Sequence, residues 1–61
     1  MHNIALKKMI KLGCMVRHID KNFDSIIGLM KVIEIKMKMY AVCMGQVRFY
    51  FPLSELELAL N

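Results

Sequence analysis

Apolar residues recur in short runs along this chain, most of them alternating with polar residues, which is the pattern of β-strands that bury one face. In the first run, Val16 and His18 fall on one face and Arg17 on the other. The runs that predict strands are residues 15–19, 29–35, 39–44, 47–51 and 57–59. The chain is therefore predicted to be mainly β, with five short strands.

Turn-forming residues separate the runs. Residues 20–25 collect Asp, Lys, Asn and Ser, so they predict a loop, with Phe23 folded down onto the sheet. Pro52 lacks a backbone N–H and is predicted to end the fourth strand. Residues 53–56 then predict one 3₁₀ turn, which leads to a fifth strand beside the first. Five short strands, a long first loop and a 3₁₀ turn before the last strand describe a small SH3-like barrel.

Two hairpins are predicted between the central strands. Residues 36–38 carry two lysines that need solvent, so they predict a hairpin tip. Gly45 followed by Gln46 predicts a two-residue turn of type II′, with glycine in the first central position. If Val47 begins the inward face of the next strand, Arg48 points outward, near the lysine-bearing tip.

The amino-terminal residues 1–12 are predicted to be a basic amphipathic segment, distinct from the barrel of residues 13–61. Ile4, Met9 and Ile10 form an imperfect helical stripe, and lysines lie on another face. These lysines interrupt the apolar stretch that a secretory signal requires. No run reaches the roughly 20 apolar residues that span a bilayer. The protein is therefore expected in the cytoplasm, without a membrane partner.

The first two predicted strands resemble a known motif. The residues that carry the resemblance are Val16-Arg17, Ile19-Asp20, Phe23, Ser25, Gly28 and Glu34-Ile35. They are similar to the KOW motif of transcription elongation factors and several ribosomal proteins. In that motif, a strand with an apolar-Arg pair leads through a Phe-containing loop to a glycine, here Gly28, and then to a second strand. The resemblance implies binding of RNA, ribosomes or RNA polymerase through barrel faces and loops.

Size and composition narrow the function classes. The 61 residues are 57% hydrophobic, which excludes a disordered tail. So short a barrel has little material to enclose a catalytic cleft, and neither a catalytic residue nor a cofactor is predicted. His2, His18, Cys14 and Cys43 lack the close spacing of a metal site. His18 is instead expected to be partly buried with a hydrogen-bonded ring, and the cysteines to be thiols in a reducing compartment.

The net charge of +4 favours anionic partners. An outward strand with cations and an aromatic residue can bind phosphates and stack bases. The candidate nucleic-acid-binding residues are Arg17, Lys21, Lys36, Lys38, Arg48 and Tyr50. The expected partner is RNA, DNA or a protein of the gene-expression machinery. The same cations can also serve only to keep an apolar domain in solution.

The methionines point to a different function class. Seven occur in the chain, and exposed Met is common on adaptable protein-binding surfaces. Met30 and Met44 are expected to fill gaps in the core. The candidate protein-interaction residues are Met37, Met39, Ile4 and Met9. The alternative hypothesis is therefore a small protein-interaction module that docks through a Met-rich, apolar surface.

Overall fold

A computed structural model describes residues 10–59 of the protein, which form a five-stranded sheet, a short helix and a 3₁₀ turn. The elements are β1 (Met15–His18), α1 (Lys21–Ile27), β2 (Met30–Lys36), β3 (Tyr40–Met44), β4 (Arg48–Pro52), the 3₁₀ turn (Leu53–Glu55) and β5 (Leu56–Leu58). Neighbouring strands are antiparallel, in the order β4-β3-β2-β1-β5. The predicted mainly β fold is confirmed, with its five strands and a 3₁₀ turn before the last.

The strand register brings apolar positions together on one face of the sheet. Val16 of β1 lies opposite Met30 of β2, and Val32 of β2 lies opposite Cys43 of β3. All four side chains are at most 1% exposed. The other residues of this core are Ile10, Ala41 and Leu56. Burying a large apolar side chain in this way contributes about 1.5–3 kcal/mol, which makes this face the main source of stability.

The prediction of a loop at residues 20–25 is wrong, because most of these residues belong to α1. The Asp20 side chain caps the helix by accepting a hydrogen bond from the backbone N–H of Asn22 at 2.8 Å. Asp, Asn and Ser favour both loops and helix starts, so composition alone does not separate the two. Gly28 ends the helix with a φ of 75°, a conformation that strains any residue with a side chain.

The β3–β4 connection is longer than predicted. Met44 pairs with Arg48, so the connection includes Val47, which is exposed rather than directed into the core. Gly45 does not have the positive φ that the first central position of a type II′ turn requires. The glycine instead allows close packing, because a Cβ atom there would lie 3.2 Å from Cγ of Met30. The predicted two-residue turn and the inward Val47 are therefore wrong.

The hairpin tip predicted at residues 36–38 is confirmed. The backbone N–H of Met39 donates to the carbonyl oxygen of Lys36 at 3.0 Å. Between them, Met37 and Lys38 have φ angles of 55° and 57°. Positive φ at both central positions is characteristic of a type I′ turn, which Asn-Gly adopts most readily. Two residues with long side chains therefore occupy a conformation that costs free energy.

The two cysteines are not joined by a disulfide, in agreement with the predicted thiols. Cys43 is fully buried in β3. Burial raises the pKa of its thiol, because the thiolate would lose its solvation. Cys43 is therefore a small apolar core residue rather than a nucleophile.

Candidate functional site

The outward face of β3 and β4 carries a pair of stacked tyrosines. Arg48 and Tyr50 both point away from the core and are exposed, as predicted. The Tyr50 ring stacks on the ring of Tyr40 in the neighbouring strand, with centroids 5.5 Å apart and planes within 8° of parallel. Tyr50 keeps 56% of its surface exposed. The pair therefore presents aromatic surface to solvent.

Cations lie on the same outward face, towards both ends of β3. Lys36 is the cross-strand partner of Tyr40. At the other end of β3, Met44 is the cross-strand partner of both Lys31 and Arg48. These three cations are exposed. We call the following six residues the basic-tyrosine face: Lys31, Lys36, Lys38, Tyr40, Arg48 and Tyr50.

The cations of this face form two groups rather than one. The prediction that Arg48 lies near the tip is wrong, because the register places it beside Met44, at the far end of β3 from Tyr40. Tyr40 and Met44 are separated by about 13 Å along the strand. The tyrosine pair therefore lies between the lysine-bearing tip and a second basic group of Lys31 and Arg48.

The cations of the basic-tyrosine face form no ion pair with a carboxylate of residues 10–59. Among residues 10–59, Arg17 and Asp24 form an ion pair, and the Glu55 carboxylate is hydrogen-bonded to the ring of His18. Glu34 lies on the outward side of β2 but pairs with none of these cations. Because no carboxylate of the described chain holds them, the cations can contact an external anion.

Two of the predicted nucleic-acid-binding residues lie away from this face. The Arg17 guanidinium, on β1, lies 3.2 Å from a carboxylate oxygen of Asp24 on α1. Its cross-strand partner is Glu57 of β5. Lys21 is the first residue of α1 and does not lie on the sheet. The structure therefore does not bring Arg17 and Lys21 together with the other candidates.

Two members of the basic-tyrosine face, Lys31 and Tyr40, are not among the residues predicted from the sequence. Lys31 alternates with the buried Met30 and Val32 in β2, so strand alternation alone places it outward. Tyr40 needs more than alternation, because only the pairing of β3 with β4 shows that its ring meets Tyr50. Alternation is therefore the signal that could have found Lys31.

The candidate protein-interaction residues are only partly within the described chain. Met37 and Met39 are exposed in the β2–β3 turn, beside the lysines of the tip. Ile4 and Met9 lie outside the described residues. The exposed methionines add flexible apolar surface next to one basic group.

The ring of His18 is hydrogen-bonded at both nitrogens, as predicted, and the residue is buried rather than partly buried. The backbone N–H of Asp20 donates to Nδ1 at 2.9 Å, so in the neutral ring Nε2 carries the proton and donates to Glu55 Oε1 at 3.0 Å. The rings of Phe23 and Phe51 contact the imidazole edge to face, with centroids 4.9 and 4.7 Å away. His18 is therefore a structural residue that joins β1, α1 and the 3₁₀ turn. Within residues 10–59, no group of three or more potential ligands could hold a metal ion.

An apolar groove lies between α1 and the β4 side of the sheet. Its volume is about 310 Å³, and its lining residues are Phe23, Ile26, Ile27, Gln46, Val47 and Phe49. This groove is not predicted from the sequence, although Phe23, Ile26 and Ile27 have the spacing of one helix face. Residues 20–25 are predicted to be a loop, so a helical spacing of these apolar residues is not expected.

Comparison with protein families, with characterised proteins and with solved structures finds no match to this chain. The resemblance to the KOW motif therefore stays a prediction. Within residues 10–59 there is also no helix of the length and apolarity that crossing a bilayer requires.

Proposed function

We propose that the protein is a non-enzymatic cytoplasmic domain that binds single-stranded nucleic acid through the basic-tyrosine face. The observation that carries this proposal is the stacked pair of half-buried Tyr40 and exposed Tyr50, with cations towards both ends of β3. Bases stack on aromatic rings, while Lys and Arg contact the phosphates of the same strand. The resemblance to the KOW motif supports the same function and favours RNA or a ribonucleoprotein as the partner.

Stacking and charge contribute to this binding in different ways. Stacking on an aromatic side chain contributes about 1–3 kcal/mol per base and tolerates any base. Each cation that contacts a phosphate releases counterions, so the affinity falls as salt rises. The two ends of β3, near which the cations lie, are about 13 Å apart. We therefore expect a site of about four nucleotides, at the lower end for a small barrel.

The tyrosine pair favours a single strand over a duplex. In a duplex the bases stack on one another and present only their edges in the grooves. A tyrosine ring on the face of a sheet then has no base face to contact. A single strand offers unstacked bases together with phosphates. Preference for a single strand would therefore distinguish tyrosine stacking from general attraction to a chain of net charge +4.

The test is fluorescence anisotropy with a short mixed-sequence RNA and a matched duplex DNA, at about 50–200 mM salt. We expect tighter binding of the RNA and about tenfold weaker binding by the Tyr50→Leu variant, because stacking is lost. The Arg48→Gln variant should lower the slope of log affinity against log salt by about one. Lys21→Gln is the matched control, because it removes a cation outside the face.

Three results would contradict the proposal. The first is no RNA binding at the lowest salt concentration. The second is equal affinity for RNA and duplex, which would leave the tyrosines without a role. The third is an equal effect of Lys21→Gln and Arg48→Gln, which would show that only net charge matters. Circular dichroism of each variant checks that the fold is unchanged.

A further inference from the structure

Strand β4 forms an edge of the sheet, and its outer side is not paired with any strand of the described chain. The strand order ends in β4, which pairs only with β3. An edge strand carries a row of backbone N–H and C=O groups that can pair with another chain. The five residues of β4 are therefore a potential template for one more strand.

Backbone alternation shows which groups of β4 face the open edge. The N–H of Leu53 donates to the carbonyl oxygen of Met39 at 2.7 Å, and Pro52 before it is extended. Successive N–H groups of a strand point to opposite sides, so those of Phe51 and Phe49 also point towards β3. The N–H groups of Arg48 and Tyr50 then point away from β3. Pro52, which has no N–H, occupies the third edge position.

The apolar groove lies between α1 and β4. Phe49 supplies the wall from β4, and Phe23, Ile26 and Ile27 supply the wall from α1. Ile26 is 75% exposed, although it is a large apolar residue. A strand added to an open edge sends alternate side chains to the same side, where a groove can receive them. Strand addition uses backbone hydrogen bonds at an open edge and a pocket for alternate side chains. The edge of β4 and the groove supply these two features.

We propose that this groove binds an extended acidic peptide segment of another protein, which adds a strand to the open edge of β4. The backbone of the segment pairs with Arg48 and Tyr50, and its alternate apolar side chains enter the groove between α1 and Phe49. This site shares Arg48 and Tyr50 with the basic-tyrosine face, but none of the six residues of that face lines the groove. The proposal does not depend on nucleic-acid binding.

Charge favours an acidic peptide as the occupant. No charged residue lines the groove. The two carboxylates of the α1 region are engaged, since Asp20 caps the helix and Asp24 pairs with Arg17. The cation on the edge strand, Arg48, is in none of the ion pairs of residues 10–59. A second copy of the chain would bring its own net charge of +4 to this edge, which opposes pairing of β4 with itself.

The first experiment selects peptides from a display library of ten-residue sequences with apolar residues at alternate positions and acidic or basic residues between them. We expect acidic peptides to be enriched. The Ile26→Gln variant should bind the enriched peptides about tenfold more weakly, because it removes apolar contact in the groove. Leu12→Gln is the matched control: Leu12 is 64% exposed but lies outside the groove, so the affinity should change less than twofold. RNA binding should be the same in Ile26→Gln and in the unchanged protein.

The second experiment measures amide hydrogen exchange by NMR with and without an enriched peptide. Strand addition predicts slower exchange at Arg48 and Tyr50, with little change at Phe49 and Phe51, which already pair with β3. The proposal is overturned if no peptide is enriched, if basic peptides are enriched equally, or if these two amides are unaffected. Slower exchange at high protein concentration without peptide would also overturn it, because the occupant would then be a second copy.

Discussion

At the scale of single residues, His18 shows how a polar side chain becomes part of the core. Its ring is buried between Phe23 and Phe51. A buried polar group destabilises a fold unless it is hydrogen-bonded, and here the backbone of Asp20 and the carboxylate of Glu55 satisfy both nitrogens. The imidazole therefore fixes three chain segments in one arrangement.

Replacing His18 should cost more than replacing its carboxylate partner. In His18→Leu, the Asp20 N–H and the Glu55 carboxylate lose their partner, so the free energy of unfolding should fall by about 1–3 kcal/mol. In Glu55→Gln, the amide oxygen still accepts from Nε2, and we expect a change below about 0.5 kcal/mol. Urea unfolding at neutral pH measures both. An equal loss in the two variants would show that the hydrogen bond between His18 and Glu55 depends on the charge of the carboxylate.

Residue-level prediction succeeds where it depends on alternation and fails where it depends on contacts. The buried His18 and the outward Arg48 and Tyr50 follow from period two along a strand. The ion pair between Arg17 and Asp24 does not, because it needs a helix where the composition predicts a loop. Only the three-dimensional position of α1 shows that Arg17 is engaged.

At the scale of elements, the β2–β3 tip is a strained segment. A left-handed conformation costs roughly 1–2 kcal/mol for a residue with a side chain, and Met37 and Lys38 both adopt it. Neither residue has a hydrogen bond from its side chain to relieve this cost among the interactions of residues 10–59. The exposed Met37 and Lys38 side chains of the tip therefore lower the free energy of unfolding.

Relieving that strain should stabilise the protein. We expect the double variant Met37→Asn with Lys38→Gly to raise the free energy of unfolding by about 1–2 kcal/mol, because Asn-Gly suits a type I′ turn. Each kcal/mol corresponds to about 4–8 °C in melting temperature for a domain of this size. Differential scanning calorimetry gives the shift. Met39→Gly is the control, because φ is not positive there and glycine should destabilise. No gain in the double variant would argue against the left-handed tip.

Most of the elements can be predicted from the sequence. The exceptions occur where one residue type is common in two kinds of local structure. The strand runs and the turn after Pro52 follow from apolar periodicity and from proline chemistry. The α1 helix is not predicted, because the residue types that cap a helix are also common in loops. At Gly45, glycine satisfies close packing against Met30 rather than a positive φ. Sequence alone does not show which of these two uses a glycine serves.

At the scale of the whole molecule, both candidate sites are assembled from more than one element of the fold. The basic-tyrosine face combines residues of β2, β3 and β4, and its two basic groups are set apart by the register. The groove combines α1 with β4 and the turn before it. Alternation within one strand gives the direction of a side chain but not its neighbours. The sequence therefore predicts part of the face and none of the groove.

The small core also limits how much change the whole molecule tolerates. A domain of this length is stable by only about 3–5 kcal/mol. Met30 and Met44 are both predicted to be core residues. The structure confirms this for Met30, which is 0% exposed, but Met44 lies on the outward side of β3 and is 40% exposed. The same substitution at Met30 and at Met44 therefore compares a buried methionine with an exposed one.

Truncating Met30 should remove most of the stability of the fold. In Met30→Ala, the lost contacts and the resulting cavity should lower the free energy of unfolding by about 2–5 kcal/mol, which is close to the total for this domain. In Met44→Ala, the cost should stay below about 1 kcal/mol, because the side chain already contacts solvent. Urea unfolding followed by circular dichroism compares the two. Similar losses in both variants would mean that burial on the inward face does not dominate the stability, and that the sheet is held together mainly by its backbone pairing.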